Sequence, residues 1–185
     1  MNFNEVLENN PVIAAVKNFE ELNIAINSNI EIIFVLFGDV LNVKEISEII
    51  DQNNKIGIVH IDLIEGLNQK EAAVKYLKKE TKFKGIISTK SQAIRLAKEN
   101  GFIVIQRSFV FDTISLENVK NHLASNIDAI EILPGLIPKV IEELTNNSSK
   151  PIICGGLIET KDEVMMALSS GASSVSTTKR EIWEM

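Results

Sequence analysis

Two short segments near the C-terminus carry the residues best suited to bind an anion. The first passes from the apolar run 152–154 into two glycines, whose lack of side chains lets backbone N–H groups approach a ligand closely. The second, 171–178, ends in hydroxyl-bearing residues before a further helix start. Loops of this kind commonly hold phosphate in (β/α)8 barrels, although two glycines can also form only a tight turn. The predicted phosphate-binding residues are Gly155, Gly156, Ser176 and Thr177.

Polar residues near the ends of other apolar runs supply the rest of a predicted pocket. Because side chains alternate along a strand, His60 and Asp62 share one face of their run. Lys90 shares a face with Ser88 in the next run, and two cations at one mouth, Lys90 and Arg107, suit an anionic ligand. The residues predicted to line the ligand pocket are Lys17, Asp39, His60, Asp62, Lys90, Arg107 and Glu131.

Several of these pocket residues also have a purely structural interpretation. Asp39 could cap the helix that follows it, and Lys17 could simply be solvated. A histidine inside an apolar strand, such as His60, is more often a hydrogen-bonded core residue than a catalyst. No local motif demands chemistry, so the sequence predicts no catalytic residue.

The composition fits one soluble domain spanning residues 1–185, with a net charge of −6. No apolar run approaches the roughly 18 residues of a membrane span, and the acidic N-terminus is unlike a signal peptide. A single cysteine, Cys154, excludes an internal disulfide and a cysteine-cluster zinc site, and two histidines make a polyhistidine site unfavourable. We therefore expect a cytoplasmic protein without a metal or cofactor. The acidic charge argues mildly against broad electrostatic binding of nucleic acid.

Eight Ile- and Val-rich runs alternate with segments of helical periodicity. Runs that are apolar on both faces are typical of parallel strands covered on both sides. Eight such units predict a compact (β/α)8 TIM barrel, whereas five or six would predict an open doubly wound sheet. At about 23 residues per unit the chain is short for a fold that typically needs about 250, so some helices must be short or irregular. The predicted strands are 12–16, 30–37, 56–62, 85–90, 102–107, 129–133, 152–154 and 173–176.

Capping residues mark where the helices begin. Thr160 and Glu163 form a capping-box pattern, and Pro138 suits a first helical turn. The remaining predicted helix starts follow Asn18, Asn42 and Ser115, and the last of these helices has an apolar face of Leu116, Val119 and Leu123.

Several segments, in order and with similar spacing, resemble the glycerol uptake operon antiterminator regulatory proteins. The segments are 37–42, 59–66, 85–90, 105–107, 130–135 and 155–160. The most particular are His-Ile-Asp-Leu-Ile-Glu-Gly at 60–66 and Ile-Ser-Thr-Lys at 87–90. The resemblance covers nearly the whole chain, from about residue 11 to residue 183. It implies a small barrel that senses glycerol 3-phosphate and binds the mRNA leaders of glycerol-use genes, so that transcription passes a terminator.

With this ligand, Asp39, His60 or Glu131 would hydrogen-bond the glycerol hydroxyls. The densest basic stretch, 75–84, offers an RNA-binding face by helical spacing. A solvated barrel exterior is the alternative, because that helix has Tyr76 as its single aromatic residue and hence no stacking platform. The predicted RNA-binding residues are Lys75, Lys78, Lys79 and Lys82.

Three classes of function remain open on the sequence. The first is a ligand-responsive RNA regulator, which can also be a homo-oligomer whose RNA groove forms between subunits. The second is an isomerase- or aldolase-type enzyme acting on a small phosphorylated metabolite, with Lys90 as a Schiff base and Asp62 or Glu131 as general base. The third is a phosphate-binding module whose output is a protein partner.

Overall fold

The computed structural model describes residues 2–68, 70–121 and 126–184. Within them, eight parallel strands pair in chain order, and the last pairs with the first to close the sheet. The predicted (β/α)8 barrel is thus confirmed. The strands are β1 (Val12–Val16), β2 (Ile32–Val35), β3 (Ile56–His60), β4 (Gly85–Ser88), β5 (Ile103–Phe109), β6 (Ala129–Leu133), β7 (Ile152–Gly155) and β8 (Ser174–Thr177).

Helices alternate with the strands and surround the barrel, and some are as short as the tight repeat length requires. The last helix spans only four residues, and a 3-10 turn at Ile61–Leu63 follows β3. None of the described helices combines the length and apolar character that a membrane span requires. The helices are α1 (Phe3–Asn9), α2 (Phe19–Asn27), α3 (Val43–Gln52), α4 (Glu71–Glu80), α5 (Ser91–Glu99), α6 (Thr113–Asn121), α7 (Pro138–Asn147), α8 (Lys161–Ser169) and α9 (Arg180–Trp183).

The core has two layers because successive strand residues face opposite sides of the sheet. One buried cluster lies between the strands and the helices, and a second fills the barrel interior. The interior cluster includes Phe34, Ile58, Ile105 and Ile153, each from a different strand. Residues that share a face with these side chains therefore point toward the barrel axis.

Helix α1, which the sequence analysis did not anticipate, closes the amino end of the barrel. Its Phe3 and Leu7 are buried in the interior cluster. The Ser174 hydroxyl lies within hydrogen-bond distance of the carbonyl oxygens of Leu7 (3.0 Å) and Asn10 (2.8 Å), tying the start of the chain to β8. The described structure is thus closed at this end, and the carboxyl ends of the strands form the open mouth.

The helix starts predicted at Asn18, Pro138 and Thr160 are confirmed. The Asn18 side chain accepts a hydrogen bond from the Glu21 N–H at 2.8 Å. Thr160 and Glu163 form the complete capping box, and Pro138 lies in the first turn of α7. These short-range signals were readable because the capping residue and its partner lie within four residues of each other.

The helix after Asn42 begins at Val43 as predicted, although without a side-chain capping bond, whereas the helix start assigned to Ser115 is wrong. The Asn42 side chain accepts from the Asp39 N–H at 2.9 Å rather than from its own helix. Ser115 lies inside α6, where its N–H donates to Oδ1 of Asp112 at 2.8 Å. In both loops an aspartate upstream of the predicted cap supplies the carboxylate that binds backbone N–H groups. Leu123, predicted on the apolar face of this helix, lies outside the described residues.

Candidate functional site

A cavity of about 280 Å³ opens at the carboxyl ends of the strands. The loops that follow β7 and β8 form one wall, and side chains of β5 and β6 form another. This is the end at which (β/α)8 barrels bind ligands. The polar side chains that line it are Arg107, Glu131, Glu159, Ser176, Thr177, Thr178 and Lys179.

A buried ion pair lies at the floor of this cavity. The register of β5 and β6 places Arg107 directly opposite Glu131, and Nε of Arg107 donates to Oε2 of Glu131 at 2.6 Å. The Ser176 hydroxyl donates to Oε1 of the same carboxylate at 2.7 Å. A charge that is removed from water is expensive unless it is paired and hydrogen-bonded. Both oxygens of Glu131 have such a partner.

Gly155 makes room for this arrangement. A Cβ atom at this position would lie 2.6 Å from the Ser176 hydroxyl and 2.9 Å from Oε1 of Glu131. Any side chain would therefore displace the hydrogen bond between the two. Gly155 is the last residue of β7 and does not line the cavity. Its lack of a side chain is therefore explained by packing against Ser176 and Glu131, beside the predicted contact with phosphate.

Gly156, in contrast, lines the cavity directly. Its φ of +73° is in the left-handed region, which glycine adopts without strain. A Cβ atom there would also lie 3.1 Å from Cδ2 of Leu133. The next residue, Leu157, is exposed and has a φ of +61°. This left-handed conformation costs a non-glycine residue about 1 kcal/mol. Two consecutive left-handed residues turn the chain sharply at the rim.

Thr177 connects the loops after β7 and β8, the two loops that the sequence predicts to bind phosphate. Its hydroxyl lies within hydrogen-bond distance of the Ile158 carbonyl oxygen (2.7 Å) and accepts from the Lys179 N–H (3.1 Å). Its carbonyl oxygen accepts from the indole N–H of Trp183 at 3.0 Å. The loops after β7 and β8 are therefore cross-linked, and Gly156, Ser176 and Thr177 lie around one cavity, as the sequence predicted.

Lys179 is a lining residue that the sequence analysis missed. Its ammonium group lies 3.3 Å from Oε1 of Glu159, and both side chains are exposed at the rim. Exposed ion pairs of this kind are weak, so the lysine can turn to a bound anion at little cost. Its position directly after the hydroxyl-bearing residues 176–178 is the sequence feature that could have identified it as a lining residue. With Arg107 and Lys179 against Glu131 and Glu159, the formal charges of the lining cancel.

Two of the predicted pocket carboxylates stabilise loops instead of lining this cavity. Oδ1 of Asp39 accepts from the N–H groups of Leu41 and Asn42, at 2.7 and 3.1 Å, in the turn before α3. Asp62 accepts from the Ser88 hydroxyl at 2.7 Å and from the Thr89 N–H at 2.8 Å. The predicted strand 56–62 ends at residue 60, because the chain enters the 3-10 turn that these bonds hold.

The predicted cations Lys17 and Lys90 also lie away from the cavity lining. Lys17 is exposed, 3.8 Å from Oε1 of Glu21. Lys90 is exposed at the N-cap position of α5, beyond the end of β4. Alternation does place Ser88 on the same face as Ile86, but Ile86 belongs to the outer core layer. That face points away from the barrel axis, which sequence alternation alone does not reveal.

His60 is a buried residue of the barrel interior, with an exposed fraction of 3%. Among the described residues its Nδ1 has no hydrogen-bond partner. Burial lowers the pKa of His60 to about 4, and the positive charge of Arg107 acts in the same direction, against the opposing effect of Asp62 and Glu131. The ring is therefore neutral at physiological pH, as expected of a core histidine.

The cavity just described occurs in a chain whose sequence matches a known family. The sequence profile of the "Glycerol-3-phosphate responsive antiterminator" family matches residues 12–183, which include all eight strands. The chain belongs to this family. The resemblance found in the sequence is thereby confirmed.

Individual proteins are similar to this chain in sequence or in structure. The "Uncharacterized protein YgcP" of Escherichia coli K12 is 39% identical over 181 residues, which cover 97% of this chain and 95% of that protein. The crystal structure of a glycerol uptake operon antiterminator regulatory protein from Listeria monocytogenes is 32% identical with a TM-score of 0.90, covering 95% of this chain and 96% of that one. A related protein from Thermotoga maritima is 29% identical with a TM-score of 0.82, covering 95% and 99%.

The predicted RNA-binding lysines of this family member lie on and just after α4, and most have partners within the chain. Lys75 lies 2.6 Å from Glu71, and Lys79 lies 3.7 Å from Glu80. Lys78 donates to the Gly101 carbonyl oxygen and lies over the Phe102 ring. The last lysine of the set, Lys82, follows the end of α4, so helical spacing does not place it on the same face. Two of the four lysines therefore face a carboxylate, in exposed ion pairs that are individually weak.

Proposed function

We propose that this chain senses glycerol 3-phosphate at the mouth cavity, binds an mRNA leader in the cytoplasm, and lets transcription of glycerol-use genes pass a terminator. Membership of the glycerol-3-phosphate responsive antiterminator family supports a regulatory role. The observation that carries the proposal is the cavity itself, a space of about 280 Å³ lined by Lys179, three hydroxyl groups and the Arg107–Glu131 pair, with Glu159 at the rim. A cavity at the small end of ligand pockets suits a small phosphorylated metabolite.

In this proposal the phosphate lies at the rim and the glycerol unit points to the floor. Lys179 and the hydroxyl of Thr178 would face the phosphate, because charge-assisted bonds to a dianion are the strongest available there. The glycerol hydroxyls would meet the Arg107–Glu131 pair, which offers both donors and an acceptor. Glycerol alone would lack the rim contacts.

The alternative of an isomerase or aldolase rested on Lys90 as a Schiff base beside Asp62 or Glu131. Lys90 is exposed and outside the cavity lining, and both oxygens of Asp62 hold the β4 loop. Glu131 pairs with Arg107. These positions favour reversible binding over turnover. Glycerol 3-phosphate incubated with the purified protein should therefore be recovered unchanged by mass spectrometry.

Calorimetry tests the ligand site. We expect glycerol 3-phosphate to bind and glycerol to give no measurable heat at the same concentrations. Lys179→Ser should weaken glycerol 3-phosphate binding about tenfold or more, since a bond to a charged group contributes about 1.5–3 kcal/mol. Lys161→Ser is the matched control, because Lys161 is an exposed lysine of the same rim outside the lining. Equal affinity for both ligands, or equal losses in both variants, would contradict the site.

The regulatory part is tested by linkage. If glycerol 3-phosphate changes the affinity for leader RNA by some factor, RNA must change the affinity for glycerol 3-phosphate by the same factor. Both titrations can be made on the parent protein with one leader transcript. An RNA affinity that does not respond to saturating ligand would contradict a sensor.

A further inference from the structure

Exposed apolar side chains are concentrated at the mouth of the barrel. In the described part of the chain, the large ones follow the carboxyl ends of strands, with Met165 on α8 as the exception. Apolar groups gathered on one surface mark an interaction site. They divide into one group after β1 to β3 and another after β5 to β7.

Two stacked phenylalanines dominate the group after β5. Phe109 ends the strand, and Phe111 lies two residues further, with buried Val110 between them. The rings are nearly parallel, 9° apart in tilt, with centroids 5.7 Å apart. Their exposed fractions are 44% and 78%, so ring surface stays open to solvent. This is an aromatic platform, which the α4 surface lacks.

Hydrogen bonds hold the backbone that carries the platform in place. The Val110 N–H donates to the Leu133 carbonyl oxygen at 2.9 Å, which continues the pairing of β5 with β6. The Phe111 N–H donates to the Ser115 hydroxyl at 2.8 Å, and Asp112 accepts from the Ser115 N–H. A rigid platform loses little conformational freedom when a ligand stacks on it.

A second cavity, of about 340 Å³, lies beside Phe109 and is open to solvent. Apart from the ring, its lining is mostly polar, with hydroxyl and amide groups. Such groups both donate and accept hydrogen bonds, as the edges of nucleobases require. Lys90 is exposed between two of the lining residues, Thr89 and Ser91, where it can meet a phosphate. The polar lining residues used in this argument are Thr89, Ser91, Gln106, Ser108 and Asn118.

We propose that Phe109 and this second cavity bind an unpaired base of single-stranded RNA, and that Phe111 extends the stacking surface. The proposal rests on the proposed function, of which it names the RNA contact. An aromatic face beside base-edge donors and acceptors is how proteins read unpaired RNA bases. A protein segment would instead favour the neighbouring groove between α6 and α7, whose apolar lining includes Val110, Phe111 and Leu116.

The two cavities share one side chain. Arg107 lines both the ligand cavity and the base cavity, and it lies on the same face of β5 as Phe109. A ligand that engages the Arg107 guanidinium therefore acts on a group that also borders the RNA site. This shared residue supplies a route by which glycerol 3-phosphate alters RNA affinity.

The test compares two phenylalanines of equal exposure. Phe109 and Phe19 are each 44% exposed at the mouth, but Phe19 lies after β1 and contacts Phe37 edge to face. Fluorescence anisotropy would follow three RNAs in the presence of glycerol 3-phosphate: the leader of a glycerol-use gene, a single-stranded oligo(U) 12-mer, and a 12-base-pair duplex. Phe109→Leu should weaken leader binding roughly 5- to 150-fold, which corresponds to about 1–3 kcal/mol for a stacked base. Phe19→Leu should bind like the parent.

Further readouts separate the possible outcomes. Phe109→Leu should leave the dependence of affinity on salt unchanged, because stacking releases no counterions. If the parent binds leader RNA and Phe109→Leu binds it equally well, this site is wrong while the proposed function stands. If the parent binds none of the RNAs, both are wrong. If Phe111→Ser changes the sedimenting mass but no RNA affinity, the surface joins copies of the chain, and the RNA site is likewise wrong.

Discussion

The two sides of the barrel mouth use their carboxylates differently. On the side of β2 to β4, Asp39 and Asp62 lie beyond the strand ends and accept hydrogen bonds from loop N–H and hydroxyl groups. On the side of β5 to β8, Glu131 lies within its strand, faces inward, and pairs with Arg107 across the ladder. Asp39 and Asp62, past their strand ends, stabilise turns, whereas Glu131, inside its strand, forms part of the cavity floor.

The largest expected effect comes from breaking the pair on the cavity side. Arg107→Met should lower the free energy of unfolding by about 3–5 kcal/mol, because it leaves the Glu131 charge buried without a counter-ion. Urea denaturation at pH 7 measures this loss. Arg107→Met/Glu131→Leu should recover most of the stability while ligand binding stays lost. If Arg107→Met is as stable as the parent, the buried pair does not matter for stability, and the contrast between the two sides of the mouth is wrong.

A smaller effect is expected on the loop side. Asp62→Ala removes the acceptor for the Ser88 hydroxyl and for the N–H and hydroxyl of Thr89. We expect a loss of about 2–3 kcal/mol in the free energy of unfolding, since the acceptor is charged and its donors are partly buried. The affinity for glycerol 3-phosphate should change less than twofold at a temperature where the variant is folded. A tenfold loss of ligand affinity would place Asp62 in the ligand site after all.

The smallest effect concerns His60 in β3. Besides burial, its pKa is influenced by Asp62 on one side of the mouth and by Arg107 and Glu131 on the other. Its pKa is lowered to about 4 in the folded chain, below the ordinary value of about 6.5, so the unfolded chain binds the proton more readily. The stabilising contribution is therefore complete above about pH 6.5 and is lost as the pH falls toward 4. Between pH 7 and pH 5 we expect a loss of about 1–2 kcal/mol.

His60→Gln should remove this part of the pH dependence, because a neutral amide does not titrate. Urea denaturation at several pH values, with parent and variant measured in parallel, isolates the contribution of this one ring from those of the carboxylates. Stability curves of equal slope between pH 7 and pH 5 would show that His60 is solvated enough to titrate normally.

The barrel was predictable from sequence because its signals are short-range. Apolar runs and the capping box at Thr160 and Glu163 each occupy a few consecutive residues, and eight repetitions leave one closed topology. Gly156, Ser176 and Thr177 were placed at one cavity for the same reason, since each follows a recognisable strand end.

Orientation and long-range contacts were not predictable in this way. The alternation of Ser88 and Lys90 gave a shared face but not its direction, which depends on how the barrel closes. The closeness of Gly155 to Glu131 depends on the pairing of β6 with β7, and no local pattern indicates it. Helix α1 was missed because its apolar residues are buried by a barrel whose last strand comes more than 160 residues later.

The hydrogen bond between Ser174 and helix α1 affects when the barrel can close during synthesis at the ribosome. The hydrogen bond from Ser174 to Leu7 spans 167 residues, and the mouth cavity is lined by residues from Ala15 to Lys179. Neither can form until β8 and the loop that follows it have been synthesised, so helix α1 cannot dock before the last strand of the barrel is present. A nascent chain that still lacks β8 therefore has neither the closed amino end of the barrel nor the complete mouth cavity.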